Sequence, residues 1–293
     1  MNRTCAIVVT YNRLELLKEV LDALLNVEDS LDKIIVVNNA STDQTHLYLE
    51  ELQLKNLQIE ELLLEKNIGG AGGFYRGIEY GYSEGYDYLW LMDDDSVVTP
   101  DSLKFLKEPF NQIDNIGFTC SRVLWKDYHP HLMNIPDVRR ENLNGIPFFE
   151  DPGYINVNSC SFVSMLISRE VVQKCGLPYK DFFIWCDDLE YSRRIIKRGL
   201  KGLFCEKSVV IHKTPNNYST NIQNCSTKEF WKMRYGFRNR TFMYKNFREY
   251  DLMIIHFLKN IIRALQRKDH KAKALGLVFT SFFRGITFKP NNG

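Results

Sequence analysis

The sequence predicts an α/β protein, in which a mostly parallel, mixed sheet is flanked by helices and followed by a helical, basic C-terminal region. In the first half of the chain, apolar runs typical of buried strands alternate with segments of helical periodicity. Strands that alternate with helices of this length form parallel sheets with right-handed crossovers. A chain of 293 residues with 44% apolar side chains is long enough to bury a substantial core.

The elements of the first half follow from these patterns. Residues 4–10 are an apolar run, and Leu14, Leu17 and Leu21 give the next segment one apolar face. An aromatic-rich run at 86–92 predicts a further buried strand. The predicted strands are 4–10, 32–39, 59–64 and 86–92, and the predicted helices are 13–25, 43–54 and one that opens from a glycine-rich loop at 67–73.

The second half is less regular. Residues 126–156 are polar and rich in Pro, Asn and Gly, which predicts a long loop, and residues 214–227, rich in Asn, Ser and Thr, predict a mobile loop. The other predicted strands are 115–123, 160–168 and 203–211, and the other predicted helices are 187–198, 228–247, 251–267 and 271–285.

Charge is distributed unevenly along the chain. Residues 228–293 contain 15 Lys and Arg against 4 Asp and Glu, whereas residues 1–227 contain 23 against 32. A basic tail after an acidic body indicates an anionic partner. The pattern of the last two predicted helices suits docking at an anionic membrane surface, and a cap on the catalytic domain or a homo-oligomer contact are the alternatives. No recognition motif supports nucleic-acid binding.

The cysteines and the apolar runs argue against a disulfide-stabilised protein, a zinc protein and a transmembrane protein. Seven cysteines without CxxC spacing predict free thiols in a reducing cytoplasm and argue against zinc. No apolar run approaches eighteen residues, so no transmembrane helix is expected. The first ten residues run directly into a strand pattern and do not resemble a signal peptide.

Three adjacent carboxylates, Asp93, Asp94 and Asp95, follow the predicted strand at 86–92. They would repel one another unless a cation lay among them. Hard oxygen ligands favour Mg²⁺ or Mn²⁺, which one or two carboxylates hold together with substrate phosphates. The alternative is a solvated acidic turn, with Asp95 or Ser96 as the N-cap of the next helix.

Polar residues also follow the first two predicted strands. Tyr11 and Arg13, after Thr10, can stack on a base and hold a phosphate. Asn38 and Asn39 suit the recognition of a base or ribose. An ordinary strand-to-helix turn, or an N-cap for the second helix, is the alternative at these two positions.

The glycine-rich segment 67–73 fits neither GxGxxG nor GxxxxGK[ST], which excludes a Rossmann cofactor site and a P-loop. Its glycines are expected to let backbone approach a ligand or a neighbouring element. Arg76, one turn later, either reaches a phosphate or is an ordinary surface arginine.

A second acidic group, Asp187, Asp188 and Glu190, opens a predicted helix directly after Trp185. One carboxylate can act as general base on an acceptor hydroxyl, and the indole can form an apolar platform for a sugar. The alternative is an acidic first turn with a capping box. His212, at the end of a strand, can add a third ligand to a metal site.

Taken together and in this order, these segments resemble family 2 inverting glycosyltransferases of the GT-A fold, over about residues 4–212. Asp93–Asp95, the DDLEY segment and the later histidine are most similar to galactofuranosyltransferases and their rhamnosyltransferase relatives. Residues 234–239 resemble a Tyr-x-x-Arg-Asn pattern common among these enzymes. The matching segments are VVTYNR (8–13), NNASTD (38–43), NIGGAGGFYRG (67–77), WLMDDDS (90–96) and WCDDLEY (185–191).

The resemblance implies a role for individual residues. Asp93 and Asp95 would bind Mn²⁺ or Mg²⁺ with His212, and Asp188 would be the catalytic base. Many relatives carry Asp at the position of Asn38, where it accepts the base N3–H; an amide oxygen can accept the same bond, so UDP- and dTDP-sugars both remain donors. The resemblance and the strand-end motifs together predict two sets of contacts. The nucleotide sugar would be contacted by Thr10, Tyr11, Arg13, Asn38, Asn39, Asn67, Arg76 and Asp94, and the acceptor by Trp185, Asp187 and Glu190.

These observations predict a metal-dependent inverting hexosyltransferase that moves galactofuranose from UDP-galactofuranose to a hydroxyl of a glycan or lipid-linked glycan in bacterial cell-surface polysaccharide synthesis. The alternatives are a rhamnosyltransferase that uses dTDP-rhamnose, a nucleotide-sugar hydrolase, and a scaffolding protein that has lost turnover. The predicted catalytic domain spans 1–227, with a nucleotide-binding half (1–97) and an acceptor-binding half (98–227), and the helical region spans 228–293. The expected location is the cytoplasm, with peripheral contact at the inner face of the membrane.

Overall fold

The computed structural model of the protein describes residues 2–140, 147–150, 154–217 and 221–291. The strands are β1 Thr4–Thr10, β2 Lys33–Asn38, β3 Ile59–Leu63, β4 Tyr88–Asp93, β5 Ser96–Val98, β6 Ile116–Leu124, β7 Asp137–Val138, β8 Phe149–Glu150, β9 Tyr154–Ser159, β10 Met165–Ser168 and β11 Lys201–His212. The helices are α1 Leu14–Leu25, α2 Thr45–Lys55, α3 Gly69–Ser83, α4 Ser102–Lys107, α5 Arg169–Cys175, α6 Asp187–Lys197, α7 Phe230–Asn246, α8 Tyr250–Leu265 and α9 Lys271–Thr287. Short 3₁₀ turns lie at Glu108–Asn111, Lys180–Phe182 and Thr227–Glu229.

The strands form one mixed sheet in the order β3-β2-β1-β4-β10-β6-β11-β9-β7, with β5 paired to β11 and β8 to β9. The four N-terminal strands are parallel, as the alternation of strands and helices predicts. β10 is antiparallel to both β4 and β6, which makes the sheet mixed. All four predicted N-terminal strands are therefore confirmed, and their carboxyl ends lie at one edge of the sheet.

The core has two layers, one on each face of the sheet. Alternate side chains of β1 point into opposite layers, as the two-residue period of a strand requires. Ile7 and Val9 pack in the layer that contains Ile78 of α3, together with α5 and α6. Ala6 and Val8 pack in the other layer, with α1, α2 and α4. The sheet is thus covered on both faces, which fixes its strand ends relative to the helices that follow them.

The glycine-rich segment is helix rather than loop. α3 begins at Gly69, so the predicted loop at 67–73 lies largely inside the helix. The physical reason is close packing onto β1: a Cβ at Gly73 would lie 2.5 Å from Val9 Cγ1, and a Cβ at Gly77 would lie 2.4 Å from Ile7 Cγ2. The glycines therefore admit a neighbouring element, which is one of the two uses that the sequence left open.

The second half contains more structure than the sequence predicts. The predicted loop at 126–156 contains β7, β8 and the start of β9, and the predicted strand at 160–168 is ordered as a strand only in β10. β7 and β8 have two residues each, and β9 lies near the sheet edge with Asn at alternate positions, so none of them produces a strong apolar run. Residues 141–146 and 151–153 of that predicted loop, and 218–220 of the predicted mobile loop, lie outside the described residues.

The C-terminal region is helical, as predicted. α7, α8 and α9 share a small core to which Met233, Ala264 and Leu277 each contribute one side chain. Among the described residues, none of the helices has both the length and the apolar character that crossing a bilayer requires. All seven cysteines are buried and free, which confirms the prediction of free thiols.

Candidate active site

Strand pairing brings Asp93, Asp95 and His212 to the same end of the sheet. β1 lies between β2 and β4, with Thr10 opposite Asn38 and Val9 opposite Asp93. β5 follows the Asp94–Asp95 turn and pairs antiparallel with β11, so that Ser96 lies opposite His212. This pairing brings a histidine that is more than a hundred residues away in sequence to the side of Asp95.

The three predicted metal ligands lie close together. One ligand atom from each of Asp93, Asp95 and His212 lies within 4.8 Å of the others. His212 Nε2 is 3.0 Å from Asp95 Oδ1, an ion pair when the ring is protonated; when Nε2 carries no hydrogen, that buried oxygen has no donor among the described residues. A buried carboxylate oxygen without a donor is energetically unfavourable unless a cation occupies the space beside it. The residues therefore fit a divalent ion with oxygen and imidazole ligands.

Neighbouring side chains set the orientation of His212. Its Nδ1 is 2.8 Å from Asn134 Oδ1, and since an amide oxygen only accepts, Nδ1 carries the hydrogen and Nε2 remains available as a ligand. The ring lies against that of His131, with 4.5 Å between centroids. Desolvation lowers the pKa of His131 to about 4, and a proton on His212 would act in the same direction, so the His131 ring is neutral near pH 7. Sequence reasoning missed Asn134 and His131, because no motif marks them.

Asp94 is held by the end of β1 and by Arg13. Thr10 Oγ1 donates to Asp94 Oδ2 at 2.8 Å, and the backbone N–H of Tyr11 donates to the same oxygen at 3.3 Å. Arg13 Nη1 donates to Asp94 Oδ1 at 3.2 Å and to Asp95 Oδ2 at 2.8 Å. Asp94 therefore joins the first strand-end motif to the carboxylate cluster, while the half-exposed Arg13 guanidinium remains accessible from solvent.

The cluster has strongly perturbed titration behaviour. Desolvation and the charge of Asp95 raise the pKa of Asp93 to about 7, and desolvation raises the pKa of Asp94 to about 6 against the opposing charge of Arg13. Desolvation also acts to raise the pKa of Asp95, but His212 and Arg13 outweigh it and hold that pKa below its usual range. A divalent cation would relieve the repulsion that raises the pKa of Asp93.

The second acidic pair lies at the first turn of α6. Burial raises the pKa of Asp187 well above its usual range, and the charges of Asp188 and Asp93 act in the same direction. Burial also raises the pKa of Asp188, against the N–H of Leu189, which donates to Asp188 Oδ1 at 2.6 Å. The charge of Asp93 thus acts on Asp187. That the two acidic groups of the sequence form one site stays a prediction.

A strained turn presents this acidic pair. Phe183, Trp185 and Cys186 all have left-handed φ angles, between 64° and 70°, which non-glycine residues adopt mainly where surrounding contacts enforce them. The buried Asn239 of α7 supplies such contacts, because its Nδ2 lies 2.8 Å from the carbonyl oxygen of Trp185 and within 3.2 Å of two others. Asn239 belongs to the predicted Tyr-x-x-Arg-Asn pattern, but the sequence did not show what it holds.

Aromatic side chains surround the turn. The Trp185 indole lies against α7, where a Cβ at Gly236 would be 3.0 Å from Trp185 Cε3. Phe183 stacks on Tyr235 with 5.1 Å between ring centroids, and the exposed Trp231 contacts both rings. Sequence reasoning singled out Trp185 alone. Trp231 offers the more exposed apolar surface next to the acidic helix.

The asparagines of the strand ends mainly hold backbone. Asn38 is fully buried; its Oδ1 accepts from the Ser41 N–H at 2.9 Å and its Nδ2 donates to Glu61 at 2.7 Å. Asn39 bonds the N–H of Ile68 and the carbonyl of Gly69, which ties β2 to the start of α3. An N-cap for the second helix is the alternative for this turn; α2 begins at Thr45 without a side-chain cap from Gln44, and Asp43 Oδ1 accepts from the Thr45 N–H at 3.1 Å.

Three further predicted contacts have local partners. Asn67 Oδ1 accepts from the Gly69 N–H at 2.8 Å, at the start of α3. Arg76 lies on the exposed side of α3 and pairs with Glu79. Glu190 is fully buried and pairs with Arg194, a partly buried arginine of its own helix, at 2.7 Å. The acceptor contact expected of Glu190 stays a prediction.

Comparison with known proteins adds sequence and structural relatives. The model of the family described as "Glycosyl transferase family 2" matches residues 5–176. The chain is 25% identical over 241 residues to a galactofuranosyltransferase of Mycolicibacterium smegmatis, which covers 77% of this chain and 72% of that relative. It is 28% identical over 185 residues to the poly-β-1,6-N-acetyl-D-glucosamine synthase of Staphylococcus epidermidis, covering 63% of this chain and 43% of that synthase.

A solved structure shares the fold. The mannosyltransferase PcManGT from Pyrobaculum calidifontis, in complex with GDP-Man and Mn²⁺, superimposes with a TM-score of 0.58 at 14% identity, covering 99% of this chain and 76% of that chain. At that identity the likeness concerns the fold alone, and it confirms the predicted GT-A architecture.

Proposed function

The chain belongs to glycosyl transferase family 2, and from this premise we propose that it is a metal-dependent inverting enzyme that transfers galactofuranose from UDP-galactofuranose to a hydroxyl of a glycan or lipid-linked glycan. One observation carries the proposal: ligand atoms of Asp93, Asp95 and His212 converge within 4.8 Å. In the proposal, the acidic start of α6 belongs to the same site. The galactofuranosyltransferase relative supports the choice of donor sugar.

The described residues suit distinct roles in this reaction. Asp93, Asp95 and His212 would hold Mn²⁺ or Mg²⁺, which when bound neutralises charge on the diphosphate leaving group. Arg13, half-exposed beside them, would bind a phosphate oxygen. In this proposal residues 1–97 hold the nucleotide, with Tyr11 near the base, and residues 98–227 hold the acceptor.

The proposed reaction is a single displacement. Asp188, half-buried in the first turn of α6, takes the proton of the acceptor hydroxyl. The hydroxyl oxygen forms a bond to the anomeric carbon from the face opposite the diphosphate, and the bond from that carbon to the phosphate oxygen breaks. The electron pair leaves with UDP. Because the protein supplies a base and no nucleophile, the configuration at the anomeric carbon is inverted.

The biological setting is also part of the proposal. The poly-β-1,6-N-acetyl-D-glucosamine synthase and the galactofuranosyltransferase among the relatives support a role in bacterial cell-surface polysaccharide synthesis. Nucleotide sugars are the donors in this proposal, so the reaction would take place on the cytoplasmic side of the membrane.

The test is a donor panel. Purified protein with Mn²⁺ is incubated with UDP-galactofuranose, dTDP-rhamnose and other UDP-sugars in the presence of glycan acceptors, and transfer and product configuration are followed by NMR. We expect transfer from UDP-galactofuranose with inversion. Transfer only from dTDP-rhamnose would replace the donor and keep the mechanism, whereas UDP release at full rate without acceptor would make the protein a hydrolase.

A variant set tests the base. Asp188→Asn should lower kcat by about 10²–10⁴-fold, the usual contribution of a general base, while Mn²⁺-dependent UDP binding stays unchanged. Glu170→Gln, on the exposed surface of α5, is the matched control and should keep the wild-type rate. Turnover by Asp188→Asn at the wild-type rate would remove Asp188 from the base role, and absence of transfer with every donor would favour a protein without turnover.

A further inference from the structure

Helix α8 has two apolar faces, of which the fold buries one. Phe257, Ile261 and Ala264 point into the core shared by α7, α8 and α9. The spacing of three and four residues recurs on the outward side, where four aliphatic side chains are each 50–59% exposed. These are Ile255, Leu258, Ile262 and Leu265.

Two aromatic side chains of α9 extend this surface. Phe279 and Phe283 are exposed and lie one helical turn apart. Phe279 also contacts the ring of Phe257, with 5.2 Å between centroids, so it lies at the boundary between α8 and α9. We call the six residues Ile255, Leu258, Ile262, Leu265, Phe279 and Phe283 the α8–α9 face. A cluster of large exposed apolar side chains marks a surface that another body covers.

The α8–α9 face lies in the basic C-terminal region of the chain. Residues 250–289 contain eight Lys and Arg and two acidic residues, Asp251 and Asp269. Asp269 pairs with the buried Arg267 at 2.9 Å, so its charge is already compensated within the fold. Lys259 is exposed on α8 itself, and Lys271 is exposed at the start of α9. The surroundings of the apolar face are therefore strongly positive.

The combination of exposed apolar side chains and surrounding basic residues favours a lipid surface as the partner of the α8–α9 face. The cores of protein–protein interfaces are depleted in lysine, whereas helices that lie in a membrane interface combine Leu, Ile and Phe with flanking Lys and Arg. Anionic lipid headgroups attract such basic segments, and the acyl boundary receives the apolar side chains. We propose that the α8–α9 face docks on the surface of an anionic lipid bilayer. The inference rests on α8 and α9 alone and is independent of the proposed transferase activity.

Docking would also fix the active site relative to the bilayer. α7 packs against α8 and α9 in the C-terminal core, and its Asn239 holds the turn that presents Asp187 and Asp188. A rigid connection therefore runs from the docking face to the acidic helix. An acceptor anchored in the same bilayer would approach the site from a constant height.

The experiment is vesicle flotation of the full chain without nucleotide, sugar or added metal. Vesicles of phosphatidylcholine alone are compared with vesicles that also contain phosphatidylglycerol. We expect the chain to float with the anionic vesicles and to remain in the lower fraction with neutral ones, with weaker binding at high salt because exposed charges are screened.

Two double variants distinguish binding through the α8–α9 face from non-specific binding to vesicles. Ile255→Asp with Leu258→Asp should reduce binding about tenfold or more, since both side chains lose their apolar contact with lipid. Leu54→Asp with Leu57→Asp, at two leucines that are each 88% exposed near α2, is the matched control and should float like the wild type. If the first variant fails to fold by circular dichroism, Lys259→Glu with Arg263→Glu replaces it, with the same expected loss.

Three results would overturn the proposal. The wild type would stay with the lower fraction in all vesicles, or the α8 variants would float as well as the wild type. Alternatively, sedimentation would show a dimer that the α8 variants dissociate, without vesicle binding, and the face would then be an interface between two copies of the chain. None of these results bears on transfer from a nucleotide sugar, which is measured in solution.

Discussion

At the scale of single residues, His212 shows how much of the site is built by groups that no motif announces. Asn134 determines which nitrogen of His212 carries hydrogen, and His131 supports the plane of the ring. Asn134 is itself fixed by a bond from its Nδ2 to Ser161 Oγ at 2.8 Å. In the proposed metal site, a histidine held in this way would be oriented before an ion binds, which would lower the entropy lost on binding.

We predict that Asn134→Leu weakens Mn²⁺ binding. Without the acceptor, the Nδ1–H of His212 is unpaired, and outer-shell losses of this kind reduce metal affinity by about 10–100-fold. Isothermal titration calorimetry with Mn²⁺ in the presence of UDP measures the effect. Asn134→Asp keeps an acceptor and should lose less. Equal affinity in the leucine variant would show that Asn134 does not orient the ligand.

The acidic residues of the site were predictable, and their supports were not. Asp93, Asp95 and Asp188 stand in runs of carboxylates within motifs that, taken in order, resemble one family, and His212 ends a recognisable strand. Asn134 lies in a stretch that reads as a polar loop and belongs to no motif. Asn239 belongs to the Tyr-x-x-Arg-Asn pattern, but the pattern does not say which backbone its side chain holds, because that role depends on contacts between distant segments.

At the scale of elements, α3 shows that the conformation of a glycine-rich segment depends on the elements that pack against it. A run of glycines favours a loop by propensity, since each glycine in a helix costs about 1 kcal/mol relative to alanine. Here the loss is offset by packing, because the helix can approach β1 only where a Cβ is missing. Tertiary contact therefore overrides local preference, and sequence reasoning placed a loop where the chain forms helix.

We predict opposite effects for two alanine substitutions in α3. Gly77→Ala should lower the free energy of unfolding by about 1–3 kcal/mol, because the new Cβ would be 2.4 Å from Ile7 Cγ2 and 3.0 Å from Val37 Cγ2. Gly70→Ala should be neutral or stabilising by up to about 1 kcal/mol, because nothing lies within 4 Å of its Cβ. Urea denaturation of both variants and the wild type provides the comparison.

Similar losses for the two alanine variants would contradict the packing explanation.

Tertiary contact also explains why sequence reasoning missed the strands of the second half. β1 and β4 are buried on both faces and read as continuous apolar runs, whereas β9 alternates Ile155 and Val157 with asparagines near the sheet edge. Short or half-exposed strands are stabilised by pairing with neighbours, which the sequence of the strand itself does not display.

At the scale of the whole molecule, the candidate site residues lie at one edge of the sheet, and the C-terminal helices contact the turn beside that edge. The parallel strands bring Thr10, Asn38 and Asp93 to neighbouring positions, and β11 brings His212 to the same edge. α7 connects this edge to the C-terminal helices through the contacts of Asn239. The fold class, the N-terminal strands and the helical C-terminus followed from periodicity, because long periodic segments are the most reliable signal in a sequence.

The central claim is that Asp93, Asp95 and His212 hold the divalent ion on which sugar transfer depends, and the rate of transfer as a function of Mn²⁺ tests it most directly. The protein is treated with chelator and titrated with Mn²⁺ at saturating UDP-galactofuranose. We predict that the chelated wild type is inactive and recovers fully, whereas Asp95→Asn and His212→Ala retain native melting and lose about 10²-fold or more in rate at the Mn²⁺ level that saturates the wild type. Full transfer in chelator, or the same Mn²⁺ dependence in the wild type and both variants, would contradict the claim.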